Sequence, residues 1–243
     1  MRRARLLAAV GVLGLLTGPS ASTSPHRPTV PTPAGPERAL AAAAATTAAN
    51  ANANANAAWR LTTYYTAVEQ YHRGPLTPVH GCPRRECEHG GDDLGRYPSD
   101  FVAAVKDEGT GRITSGPNVG RYLNWSYDVG YWLDTIPTDT NGDALAAFET
   151  AAADAVSLAP GTEFVIAGCG TQQGDPLEAD ACRRFQSSRW IVRDAFTPGL
   201  GGSRHLDLYI GEEDRRGFTD SSPIYVDVTG ARITVAPADN GRR

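Results

Sequence analysis

Past residue 57 the hydrophobic positions fall in short runs separated by turn-forming residues, and most runs alternate apolar with polar. Trp59 to Ala67 is aromatic and β-branched and predicts a strand. Further strands are expected at Arg121–Ser126, Tyr131–Asp134, Glu163–Cys169, Arg189–Asp194, Arg204–Ile210, Pro223–Val228 and Arg232–Ala236. Two stretches read as helices. Ser99–Glu108 has Ser99 to cap it and Gly109 to end it; an Ala-rich run capped by Asp143 extends to about Asp154 or Ala155. Residues 72–96, rich in Gly, Pro, Cys and charge, read as a long loop. Short strands parted by turns rather than long helices favour a mainly β barrel or sandwich with helical insertions over a parallel α/β sheet.

The N-terminus has a different pattern. Arg2, Arg3 and Arg5 precede the apolar run Leu6–Leu16, and small residues lie around Ser20–Ser22. Residues 1–22 read as an export signal, with an apolar run too short to span a bilayer. Residues 23–57 are Pro-, Thr-, Ala- and Asn-rich, with too little apolar surface to offset the cost of ordering. They read as a disordered linker in which Ala39–Ala49 forms at most a transient helix. Residues 58–243 are then one domain of a size that buries a core. The expectation is a monomer, secreted or cell-wall associated, without a membrane span after signal cleavage. A net charge of −4 gives no electrostatic reason to expect nucleic acid as a partner. Four cysteines in an exported chain favour two disulfides, and local pairing gives Cys82–Cys87 and Cys169–Cys182. The spacing His80-x-Cys82-x4-Cys87-x-His89 also suits a zinc site. The disulfide is the simpler account in an oxidising compartment, so neither metal nor cofactor is expected.

Candidate chemistry concentrates between Asp194 and Ile210. Asp194 ends one strand, a Gly-rich turn with Gly201 and Gly202 follows, and Asp207 sits inside the next strand. By alternation Leu206, Leu208 and Ile210 share one face, and His205, Asp207 and Tyr209 the other. With the leucines in the core, Asp207 projects into a groove beside an imidazole and a phenol. The plainer alternative is a solvated Asp207 on an outer sheet face. Asp194 reads equally as a strand-end acceptor for amides of the Gly199–Ser203 turn. Tyr122, Trp125, Tyr127, Tyr131 and Trp132 form an aromatic group suited to core packing or to stacking on sugar rings.

Three pieces of the chain resemble the three-aspartate (3D) domain of exported cell-wall proteins. They are Tyr64-Tyr65-Thr66-Ala67, Asp154 followed by Pro160-Gly161-Thr162, and Asp194 followed by Gly201-Gly202-Ser203-Arg204-His205-Leu206-Asp207-Leu208. His205-Leu-Asp-Leu-Tyr209 is also similar to a motif of membrane-bound lytic transglycosylase A and of expansin-like barrels. The likeness covers about 59–67 and 150–230; residues 72–142 form an insertion, and the linker after Asp194 is longer than usual and contains Phe196-Thr-Pro198. The resemblance implies a six-stranded double-psi β-barrel with a long helical or loop insertion. It also implies a groove with Asp154, Asp194 and Asp207 as catalytic residues. Tyr65, Thr66, His205, Tyr209, Gly201, Gly202, Trp125 and Trp132 are the expected substrate contacts, and peptidoglycan or another cell-wall glycan the expected partner.

The related barrel cellulases carry a base just after the first-strand Thr-x-Tyr. Here Thr63-Tyr64-Tyr65 is followed by Thr66 and Ala67, and Glu69 is expected to face elsewhere. Inverting hydrolysis needs two carboxyls. A lytic transglycosylase needs one, which first protonates the glycosidic oxygen and then accepts the proton of the sugar's own C6 hydroxyl. A lone acid at Asp207 fits that reaction, with its pKa raised and His205 neutral or turned outward. The other readings are a non-catalytic cell-wall binding module using the same groove and a β-glucan- or chitosan-type glycoside hydrolase.

Overall fold

The computed structural model describes residues 57–236; the expected signal and nearly all of the linker lie outside them. The described part is mainly β. Strand β1 (Trp59–Val68) runs through its centre. Its buried Trp59 and Leu61 meet Leu206 and Leu208 of β12 (His205–Glu212) in the core. β1 pairs in parallel with β12 and antiparallel with β13 (Asp227–Val235). β13 pairs with β8 (Glu163–Gly168), and β8 with β11 (Trp190–Asp194); the two-residue strands β9 (Thr171–Gln172) and β10 (Asp175–Pro176) pair with each other, and β9 also with β13. β7 (Thr150–Ala153) then lies between β11 and β12, so these strands close into a ring. Trp190, Phe164, Phe185 and Ile233 complete the core.

The Ala-rich run is a correction to the sequence reading. Ala151, Ala152 and Ala153 are buried in a strand rather than a helix. β7 hydrogen-bonds to strands on both sides, and small side chains suit that position. Tertiary pairing overrides the helix propensity of alanine. Pro223–Val228 and Arg232–Ala236 also do not form two strands: a single β13 begins at Asp227. One helix, Ala179–Gln186, was not expected; it packs Ala181 and Phe185 into the core.

The insertion holds more strand than helix. It contains a hairpin of β2 (Leu76–Gly81) and β3 (Asp92–Pro98) within the expected loop. Helix α1 (Ser99–Glu108) follows, then β4 (Thr110–Arg112), β5 (Tyr122–Ser126) and β6 (Gly130–Asp134). β4 pairs with the end of β1, so the insertion extends the central sheet. Ser99 is the first helical residue rather than the cap; Gly109 closes α1 in the left-handed region at φ +86°. Gly111 lets α1 approach β4, because a Cβ there would lie 2.7 Å from the Phe101 ring. Cys82–Cys87 and Cys169–Cys182 are both disulfides, so the cysteines of the His-Cys-Cys-His motif are bonded to each other.

Candidate active site

Arg60 and Tyr64 of β1 line a pocket of about 340 Å³ open to solvent. Asp207 lies in it, directly opposite Thr62 in the β1–β12 register. Thr62 Oγ donates to Asp207 Oδ1 at 2.8 Å and lies 2.9 Å from His205 Nε2. With an ionised Asp207, Thr62 gives its hydrogen to the carboxylate and accepts from Nε2–H of His205. With a protonated Asp207 the chain of donors can run the other way. Burial pushes Asp207 up to about 7, and the charge of Asp194 adds to it; the Thr62 bond and Arg60 oppose the rise. Burial and the neighbouring Arg60 push His205 down, which favours the neutral ring.

Asp194 also lines the pocket, at the end of β11. It accepts bonds from Tyr64 O–H at 2.9 Å, Thr140 N–H at 3.1 Å, Thr140 Oγ at 3.0 Å and Ala195 N–H at 2.8 Å. It joins β1 to Thr140, and its charge acts on Asp207. The long linker after Asp194 forms part of the wall: Phe196, Thr197 and Leu200 face the pocket, and the Phe196 ring lies over His205 with centroids 4.6 Å apart.

Asp154 does not line this pocket. Its carboxylate accepts the Gly202 N–H at 2.5 Å and packs so closely on Gly201 that a Cβ there would collide with it. Asp154, Gly201 and Gly202 thus hold the turn that presents β12. Of the expected substrate contacts, His205 and Trp125 are at the pocket wall. Tyr65 packs against Phe218 and Tyr225, and Thr66 Oγ bonds Tyr209 Oη at 2.6 Å inside the protein. Trp132 is fully buried beside the Cys82–Cys87 bridge.

The sequence reading missed Glu108. The β1–β12 register shifts between Tyr64 and Thr66, and Tyr65 N–H donates to Glu108 Oε2 at 3.2 Å. Tyr225 O–H donates to Oε1 at 3.1 Å. Glu108 lines the pocket from the end of α1. Burial first, and then the charge of Asp207, push it up to about 8. Asp107 and Asp139 line the same pocket, and burial raises Asp139 to about 6. Glu69, by contrast, faces away: it accepts Thr114 N–H at 2.7 Å, Ser115 N–H at 2.9 Å and Ser115 Oγ at 2.6 Å. Among the described residues no cluster suits a metal ion.

No protein-family model matches the chain, and no curated protein does. Solved structures do match. Escherichia coli MltA with bound chitohexaose is 13% identical over 74% of this chain and 72% of that one, with a TM-score of 0.47. A membrane-bound lytic murein transglycosylase from Agrobacterium tumefaciens is 12% identical over 74% of each chain, with a TM-score of 0.45. MltA from Neisseria gonorrhoeae is 10% identical over 76% and 74%, also with a TM-score of 0.45.

Proposed function

We propose that this protein cleaves peptidoglycan glycan strands as a lytic transglycosylase, with Asp207 as its catalytic acid. The observation that carries the reading is a half-buried carboxyl at an open pocket, raised to about 7, so that a sizeable fraction is protonated at neutral pH. In the reaction Asp207 gives its proton to the glycosidic oxygen as the C1–O bond breaks. The C6 hydroxyl of the same sugar attacks C1 and passes its proton to the Asp207 carboxylate. A 1,6-anhydro end forms, and the acid is restored without an activated water. Thr62 keeps Asp207 oriented in both states, and Asp194 raises its pKa. The ring of strands is in this reading a double-psi barrel, and the resemblance of Asp194 to Leu208 to the 3D motif supports the same assignment. Residues 1–22 act as an export signal and 23–57 as a tether, which agrees with the two disulfides.

Glu108 favours a second reading. A second carboxyl in the pocket is what inverting hydrolysis requires, with a water activated opposite the acid. Mass spectrometry of digested cell-wall sacculi separates the two: 1,6-anhydro ends mark the transglycosylase and reducing ends the hydrolase. Asp207→Asn should release no fragments while keeping the fold. Undiminished release by that variant removes both readings.

A further inference from the structure

A second cavity, of about 410 Å³, also touches the loop 138–142. Thr138, Asp139 and Thr140 line the first pocket, and Asn141 and Gly142 the second, so the two cavities share one short loop. Arg84, Arg85 and Arg121 converge on this second cavity. None of the three forms an ion pair among the described residues, although Glu86 and Asp134 also line the cavity.

Two of the guanidiniums are fixed by the backbone. Arg121 donates to the Pro83 carbonyl at 3.1 Å, and Arg85 donates to the Thr140 carbonyl. Arg85 also lies over the Trp132 ring, 5.8 Å from its centroid, and its buried Nε has no hydrogen-bond partner. Gly142, at φ +88°, makes room for it: a Cβ there would lie 2.6 Å from Arg85 Cδ. Each guanidinium has several N–H donors in a planar fork, and one bond to a carbonyl leaves most of them free. Guanidiniums held in place and not ion-paired to a carboxylate suit the two oxygens of an oxyacid group.

Resting on the glycan-cleaving reading, we propose that this cavity binds the carboxylates of the peptides attached to the glycan strand, next to the site of cleavage. In an intact strand the lactyl carboxyls of the glycan are tied up in amide bonds to the peptides, so the carboxylates are those of the peptides. A basic cavity one loop away from the pocket would then favour strands that still carry peptides. A phosphate-bearing wall polymer offers the same oxyanion chemistry, and the experiment separates the two.

The test uses Asp207→Asn protein, so that bound strands are not consumed, and compares Arg84→Ala/Arg121→Ala in that background. Binding is measured to three probes: peptide-bearing strands, strands stripped of peptides with their lactyl carboxyls capped as simple amides, and the same capped strands carrying a phosphodiester-linked polymer. We expect about tenfold weaker binding to the first and no change with the other two. Equal affinities for the first probe, or an equal loss on stripped strands, overturn the proposal. A loss confined to the phosphate-bearing strands overturns the carboxylate assignment. If the double variant does not fold, Arg84→Ala alone carries the test, since its exposed side chain forms no ion pair. These measurements read binding only. A failure of the cleavage reading would appear separately, as fragment release by Asp207→Asn in the wild-type background.

Discussion

Replacing Asp207 by Asn should make the protein more stable, and only at higher pH. Burial raises this carboxyl from 3.8 to about 7 in the folded chain. Between those values the native state holds a proton that the unfolded state has lost. Stability therefore falls as pH rises through that window and levels off above it. At about 1.4 kcal/mol per tenfold change in proton affinity, the cost above neutral pH is about 4 kcal/mol at most. Asparagine keeps an oxygen for the Thr62 hydroxyl and carries no charge to bury. Urea unfolding of the two proteins at about pH 4 and about pH 8.5 should give curves that nearly coincide at the first and differ by about 2–4 kcal/mol at the second. Glu108, raised to about 8 partly by the charge of Asp207, contributes a slope of the same sign; the substitution removes that part of its rise, which adds to the gap at the higher pH. A gap of equal size at both pH values, or a variant less stable at the higher one, would refute the argument that desolvation of a charge sets the pKa.

Two substitutions should move the pH dependence of fragment release in opposite directions. Activity is lost as pH rises through the pKa of the acid. Asp194→Asn removes a charge that raises Asp207 and should shift the alkaline limb to lower pH; Thr62→Val removes a bond that lowers it and should shift that limb upward. An unmoved limb in both pH–rate profiles would dissociate these residues from Asp207. Glu69→Ala should cost about 2–3 kcal/mol in urea unfolding, because amides and a hydroxyl at 114–115 lose a buried acceptor. The Thr114 and Ser115 amides should also lose protection from hydrogen exchange.

Much of the ring was legible because its strands alternate: β12 shows its leucines on one side and His205, Asp207 and Tyr209 on the other. The same alternation explains why Asp207 stands opposite the core-facing leucines. The Ala151–Ala153 strand was not legible, since alanine signals helix and the need for small residues between two strands is a property of the assembled sheet. Glu108 carried no signal either. It looks like an ordinary residue at a helix end before glycine, and its place in the pocket depends on a register shift in β1 that is distant in sequence. Phe196 was visible only as an unexplained extra stretch of linker; its role over His205 needed the closure of the turn held by Asp154. The hairpin within 72–96 was hidden by glycines, prolines and charges that also mark loops.

The course of β1 has a consequence for how this protein tolerates change. Thr62 touches Asp207, Tyr64 touches Asp194, Tyr65 touches Glu108, and the Val68 amide donates to Glu213 at 2.6 Å. One strand therefore works as a ruler whose graduations are four acids from three parts of the chain: the end of α1, the end of β11, and β12 with the residue after it. A slip of one residue in β1 would turn the Thr62 and Tyr64 side chains to the opposite face and displace the Tyr65 and Val68 amides from their acceptors. The segments that bring those acids are held to the site by these contacts, so the spacing within β1 sets where each acid sits.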